Sequence, residues 1–286
     1  MSTTAYQLTR PSATRGAVVF ASPHSGREYD ARFMQMTRLD PLDLRSSEDA
    51  FVDELFSTAP QLGAPLLCAR MPRAYLDLNR AADELDPALI AGVRRSGQNP
   101  RVTSGLGVVP RVVAGGRAIY DGRIPLAEAH RRIREVWHPY HDRLQTLIDE
   151  ARRDFGRSIL FDCHSMPHAA LDHHAGRGPR PQVVIGDRFG AAAAGGIVAA
   201  VEQAFARAGL TTARNAPFAG AYITQAYGRP SRGQHVVQIE IDRALYMDER
   251  TLEKHDGFEP LCTALRSVVE DLVQIGAPLE GRLAAE

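Results

Sequence analysis

The sequence predicts an α/β domain in which helices cover both faces of a central sheet. Two observations carry this. Short apolar runs recur at 17–22, 65–69, 159–161, 182–187 and 234–243, and stretches with helical spacing separate them. Two of the runs also end alike: Gly16-Ala-Val-Val-Phe-Ala-Ser-Pro-His-Ser-Gly26 and Ser158-Ile-Leu-Phe-Asp-Cys-His-Ser165 each deliver a His-Ser pair. Open α/β sheets bind ligands at the carboxyl ends of their strands. Two histidines delivered to that edge point to one shared site.

In chain order, residues 17–22 form the first strand, stopped by the turn Pro23-His24-Ser25-Gly26. Arg45-Ser-Ser-Glu-Asp49 then leads into a helix from Ala50 to Phe56, with Ser46 or Ser47 as its cap and the acids suited to its positive end. Pro65–Ala69 is a second strand, followed by the extended stretch 70–80, which Arg70, Arg73 and Arg80 punctuate. Residues 82–106, rich in Asp, Pro, Gly and Arg, read as a long functional loop or insertion. Val108–Val113 and Ala118–Tyr120 suggest a small hairpin around Gly115-Gly116. Pro125 opens an amphipathic helix to about Phe155, which Pro139 should kink or split. Gln182–Asp187 is a strand, an Ala-rich helix runs from about 190 to 208, and a terminal helix runs from about 251 to 275. Between them Gln234–Arg243 alternates Val236, Gln238, Glu240 and Asp242 against Val237, Ile239 and Ile241, so Glu240 faces away from its apolar neighbours.

Composition excludes several classes. With 44% apolar and 24% charged residues the chain is an ordinary globular sequence, read as a single domain over 1–286. Lys+Arg and Asp+Glu balance at 34 each, so no global field recommends nucleic acid or an anionic membrane. No apolar run approaches the ~20 residues of a membrane span. The three cysteines, Cys68, Cys163 and Cys262, show no disulfide or CxxC spacing, which predicts a reducing cytoplasm.

If the first and central strands are neighbours, His24 and His164 plus one carboxylate make a three-ligand zinc site with a position open for water. Asp49 or Glu48 is the nearest acid, and Asp162 is placed to orient an imidazole. Glu240 suits a general base. Arg73, Asn79 and Arg80 suit a carboxylate-bearing substrate, because guanidinium groups bind carboxylates in bidentate fashion. Other polar residues read as structural. Ser165 lacks the glycine-flanked elbow of a nucleophile, and Cys163 lies within the strand as an inert thiol. His141 sits in a helix-breaking Pro-Tyr-His, while His168, His173, His174 and Arg94-Arg95 read as solvated.

Taken together, Ser-Pro-His24-Ser-Gly, Ser-Glu-Asp49-Ala-Phe-Val-Asp-Glu-Leu, Asp-Leu-Asn79-Arg80, Trp137-His-Pro-Tyr-His141, Asp-Cys-His164-Ser-Met-Pro and Gln-Ile-Glu240-Ile-Asp-Arg243 resemble the N-formylglutamate amidohydrolase family over about residues 16–275. That family is related to zinc carboxypeptidases and aspartoacylases. The resemblance implies a three-layer α/β/α fold of the phosphorylase/hydrolase-like kind, with a mixed, largely parallel sheet. It implies hydrolysis of N-formyl-L-glutamate to formate and L-glutamate, a late step of histidine breakdown. By the same resemblance one Zn2+, or another divalent transition metal, is held by His24, Asp49 and His164. By that resemblance Glu240 matches the base, and Asn79 and Arg80 the carboxylate-binding segment. In the mechanism we read from the residues, Arg73 steadies the oxyanion and Arg243 joins Asn79 and Arg80 on the substrate carboxylates. Tyr222 either closes over the substrate or packs. The sequence departs from the carboxypeptidase relatives in one respect: Arg27 stands where their first motif, His-x-x-Glu, has its acid. Two other readings remain open, a zinc-dependent deacylase of another N-acyl acidic amino acid and a catalytically inactive sensor of acidic metabolites.

Overall fold

A computed structural model describes residues 5–94, 99–172 and 180–278. Strands β1 (Tyr6–Thr9), β2 (Val18–Ser22), β3 (Leu66–Ala69), β4 (Ser158–Met166), β5 (Val183–Gly186), β6 (Thr212–Arg214) and β7 (Gln234–Asp242) form one sheet. Its spatial order is β1-β3-β2-β4-β7-β5-β6. The four central strands are mutually parallel, whereas β1 runs antiparallel to β3 and β5 antiparallel to β7. The expected mixed, largely parallel sheet is therefore present. Two strands have no counterpart in the sequence reading, β1 and β6. Both lie at a sheet edge and are only half-buried, so neither needs the apolar run that marks an inner strand.

Helices complete the outer layers: α1 (Val52–Leu55), α2 (Leu126–Arg132), α3 (His138–Phe155), α4 (Gly195–Arg207), α5 (Tyr222–Tyr227) and α6 (Phe258–Ile275). Strand periodicity decides what each layer meets. Phe20, Phe161 and Ile239 point to one face and share a core with Val198 and Val201 of α4 and Leu265 and Val269 of α6. Val19, Leu160 and Val236 point to the other and pack against Leu144, Leu147 and Ile148 of α3. On this second face the strands change character toward their carboxyl ends. Leu160 gives way to Asp162 and His164, and Val236 gives way to Gln238 and Glu240. The register sets His164 beside Glu240 and Asp162 beside Gln238.

Several boundaries differ from expectation for local reasons. The long helix is divided near Pro139, which stands in the first turn of α3. Residues Ile133–Trp137 widen into a π-turn between α2 and α3, and the His138 N–H bonds the carbonyl of Ile133 five residues back. Such a turn accommodates the ring and the missing N–H of a proline. Ser46 and Ser47 do not cap the helix that follows them. Their hydroxyls donate backward to the carbonyls of Asp43 and Leu44, and Phe51 enters α1 at φ 65°. Around Gly115-Gly116 the chain makes a single antiparallel bridge, Val112 to Ala118, rather than two strands. The terminal helix begins only at Phe258, because Glu253–Lys254 pair with Met247–Asp248. Within 82–106, Ile90–Ala91 pair with Ile124–Pro125 and Pro100–Thr103 form a helical turn.

One charge is fully enclosed in this framework. The Arg132 guanidinium donates to Glu128 Oε1 (2.8 Å), to the Tyr75 carbonyl (3.0 Å) and to the Tyr120 hydroxyl (2.6 Å), and lies 4.2 Å from the Tyr75 ring centre. Removing one partner of a buried pair strands the other. Glu128→Ala is therefore expected to lower stability in urea unfolding by about 3–5 kcal/mol. A loss under about 1 kcal/mol would mean that the two tyrosines alone satisfy Arg132.

Candidate metal centre and active site

The first histidine stands on the turn that ends β2, the second near the end of β4, and adjacency of the two strands brings their ring centres to 4.8 Å. Asp49 reaches them from the loop before α1, where its N–H bonds the His24 carbonyl (3.0 Å). Its Oδ2 lies 3.4 Å from His24 Nδ1 and 2.9 Å from His164 Nδ1. The opposite ring nitrogens meet carboxylates as well: His24 Nε2 lies 2.8 Å from Asp77 Oδ1, and His164 Nε2 lies 3.0 Å from Asp162 Oδ1. All five side chains are buried.

This donor set fits a metal ion. The three candidate ligand atoms lie within 4.8 Å of one another. His24 Nδ1 is a buried nitrogen that lacks a hydrogen-bond partner, so its lone pair is available. A carboxylate on the far nitrogen of each imidazole is the arrangement that orients histidine ligands and raises their basicity. Asp49 lies between the two rings. Glu48 instead turns away, accepting from Tyr29 Oη (2.5 Å) and Arg45 Nε (3.1 Å).

The electrostatics follow from packing charges together in the interior. Burial disfavours the Asp49 carboxylate, yet the hydrogen bond from His164 and the nearness of both imidazoles hold it well below the usual range. Burial likewise opposes charge on His164, but Asp162, Asp49 and Glu240 push it well above an ordinary histidine. Glu240, short of comparable partners, is pushed up by burial to about 7, against the pull of His164. Its Oε1 accepts from Gln238 Nε2 (3.0 Å), two residues back on the same face of β7.

These groups line a cavity of about 700 Å³ that also takes in Arg73, Arg80, Arg101, Ser165 and Arg243. The arginines are engaged to different degrees. Arg243 is committed inward: it donates to Asp49 Oδ1 (2.9 Å) and Ser165 Oγ (3.2 Å). Asn79 is also part of the frame. Its Nδ2 lies 3.2 Å from His164 Nε2, and its Oδ1 accepts from the Ile223 N–H (2.8 Å). Among the described residues Arg73 spends only its Nε, on Asp77 Oδ2 (3.0 Å). Arg80 spends Nε on the Leu106 carbonyl and Nη1 on that of Asn79. Burial lowers the Arg80 pKa, and the like charges of Arg73 and Arg101 add to the effect. The site thus holds positive charge in want of an anion. Tyr222 stands outside the cavity wall, packed against Trp137 and His141. Cys163 is enclosed on the opposite face of β4, as expected of an inert thiol. His168 is partly exposed and pairs with Asp242 (2.7 Å), while His173, His174 and Arg95 lie outside the described residues.

Asp77 as the partner of His24, Arg101 and Gln238 are absent from the sequence reading. Gln238 had a signal, since it precedes Glu240 on the polar side of an alternating strand. Arg101 had none, because it arrives from the irregular segment.

Residues 16–247 match the model of a protein family described as N-formylglutamate amidohydrolase. The chain belongs to this family. It is 30% identical to the N-formylglutamate deformylase of Pseudomonas aeruginosa, over 92% of this chain and 94% of that protein. A shorter match, 32% identical over 120 residues, relates it to an N-formylglutamate deformylase of Pseudomonas putida. The crystal structure of N-formylglutamate amidohydrolase from Ralstonia eutropha JMP134 superposes with a TM-score of 0.89, at 34% identity, covering 96% of this chain and 99% of that one. A protein from Agrobacterium tumefaciens, 18% identical with a TM-score of 0.64, shares the fold.

The geometry separates neighbouring acids. Asp49→Ala is expected to abolish stoichiometric metal in elemental analysis of the purified protein, whereas Glu48→Gln should retain it. Asp77→Asn should bind metal about 10–100-fold more weakly than wild type in competition with a chelator. Metal retained by Asp49→Ala would remove that residue from the ligand set.

Proposed function

We propose that this chain is a metal-dependent amidohydrolase that cleaves the formyl amide of N-formyl-L-glutamate, releasing formate and L-glutamate. The observation that carries the reading is the convergence of His24 Nδ1 and His164 Nδ1 on Asp49 Oδ2, with Glu240 on the adjoining strand and arginines across the cavity. The deformylase relatives support the substrate, and so does the charge of the site. A dianionic substrate meets Arg73, Arg80 and Arg101, whose guanidinium groups are matched to carboxylates. The reaction belongs, on this reading, to histidine breakdown in the cytoplasm. All three cysteines are unpaired, which suits a reducing compartment, and among the described residues no helix is long and apolar enough to cross a membrane.

His24, Asp49 and His164 would hold the ion, which we take to be zinc, although imidazole and carboxylate also accept iron, cobalt or nickel. When bound, it supplies Lewis acidity toward the formyl oxygen and the attacking water. The protein's own groups then divide the work. Glu240 removes a proton from the water as its oxygen attacks the formyl carbon. Gln238 occupies Oε1 and leaves Oε2 for that proton. Arg73, free beyond its Nε among the described residues, donates to the oxyanion, the kind of contact whose loss costs about 3–4 kcal/mol. As the C–N bond breaks, Glu240 returns the proton to the departing nitrogen, so base and acid are one residue. Arg80 and Arg101 hold the carboxylates, while Arg243 serves the substrate indirectly by fixing Asp49.

Formate release from N-formyl-L-glutamate, with and without chelator and beside N-acetyl and N-succinyl analogues, tests the reading. A zinc-loaded protein that releases no formate would sink it, and faster turnover of a larger acyl group would move the protein to a related deacylase. Glu240→Gln should keep its metal while kcat falls about 10²–10⁴-fold. Arg101→Ala should raise KM for N-formyl-L-glutamate about tenfold or more and leave a neutral N-formyl amino acid unaffected. An equal effect on both substrates would assign Arg101 a structural role.

A further inference from the structure

Residues Asp77–Arg80 belong to no helix or strand, yet they bring three polar side chains to the centre. Asp77 meets His24, Asn79 meets His164, and Arg80 faces the cavity. Without a ladder of their own, the backbone groups of this segment must find tertiary partners. The Asp77 N–H donates to the Val108 carbonyl (2.8 Å), and the Asn79 N–H to the Asp77 side chain (2.8 Å). Two carbonyls point the other way, toward the helical layer. Trp137 Nε1 donates to the Arg80 carbonyl (2.9 Å), and His141 Nε2 lies 2.9 Å from the Leu78 carbonyl.

Both donors come from one short motif, Trp137-His-Pro-Tyr-His141, at the point where the π-turn passes into α3. One α-helical turn apart, the two rings lie against each other with centres 4.0 Å apart and planes inclined by 34°. A carbonyl can only accept, so His141 Nε2 must carry the hydrogen, and Nδ1 then accepts from the Tyr227 hydroxyl (2.9 Å). Burial pushes His141 down to about 3, which keeps the imidazole neutral and this tautomer in place at ordinary pH. Tyr222 and Tyr227 of α5 close the other side of the pair. A π-turn that opens directly before Pro139 marks a site where regular helix has been given up.

We propose that Trp137 and His141 are positioning residues: their ring N–H groups grip the Arg80 and Leu78 carbonyls, and this grip sets Asp77 against His24, Asn79 against His164, and Arg80 toward the substrate. The inference rests on the metal centre proposed above. It gives the motif a purpose beyond breaking a helix, and it makes Tyr222 a supporting packer of the grip.

The test compares Trp137→Phe, His141→Phe and His141→Gln with wild type. Phenylalanine at 137 keeps an aromatic ring while removing the N–H together with part of the indole, and glutamine at 141 retains a donor. Three quantities are measured: zinc affinity of the metal-free protein against a competing chelator, Tm of the metal-free protein, and KM and kcat for formate release. The two phenylalanine variants should bind zinc about tenfold more weakly, the loss typical of a disturbed partner of a metal ligand. KM for N-formyl-L-glutamate should rise, and His141→Gln should stay near wild type in both respects. Zinc affinity and KM unchanged in Trp137→Phe and His141→Phe, with only Tm lowered, would overturn the proposal. So would His141→Gln failing as badly as His141→Phe. A wild-type protein that binds zinc but releases no formate would defeat the substrate reading alone, because the zinc comparison does not depend on substrate.

Discussion

The arrangement around Asp49 constrains the rest of this molecule. A carboxylate that is 1% exposed is tolerable only where charge and hydrogen bonds compensate it. Here Arg243 donates to one oxygen and two imidazoles face the other. Each imidazole in turn rests on a further carboxylate, Asp77 or Asp162. The network joins residues of β4 and the segment Asp77–Arg80 with residues that follow β2 and β7. Apolar cores on both faces of the sheet surround this charged cluster.

That placement follows from strand periodicity. The face against α4 and α6 is apolar along β2, β4 and β7, with Phe20, Phe161 and Ile239 at its centre. The other face is apolar only as far as α3 covers it, and beyond that point the same strands present Asp162, His164, Gln238 and Glu240. The crevice lies where the helix layer stops. Its remaining walls come from irregular chain, including Arg101, Ser104 and Leu106 on one side and Pro217–Ala221 on the other. Strands β4 and β7 present His164 and Glu240, whereas a turn and loops present His24, Asp49 and Asp77 and bring Arg73 and Arg80 to the cavity.

The inner strands and main helices were legible because burial on one or both faces demands apolar residues at fixed spacing. The two histidines and Glu240 were legible for the converse reason, as polar residues at positions where that spacing leads toward buried surroundings. Edge strands β1 and β6 bury too little to leave a pattern. The start of α6 and the capping around Ser46 and Ser47 were misjudged because short-range signals there compete with tertiary pairing, as between Met247–Asp248 and Glu253–Lys254.

By itself the sequence determined the α/β class, the paired His-Ser strand ends, the side of its strand on which Glu240 lies, and membership in a hydrolase family through motifs in a recognisable order. These are local or ordered features, written in periodicity and residue type. Only the tertiary structure shows that Asp49 and Glu48, neighbours in sequence, point to different partners. It also shows Arg243 donating to Asp49, and it brings Arg101 to the cavity. In each case the physical reason is the same. What a buried charge does is set by which opposite charge lies within a few ångströms, and that distance exists only after strands far apart in the chain have been laid side by side.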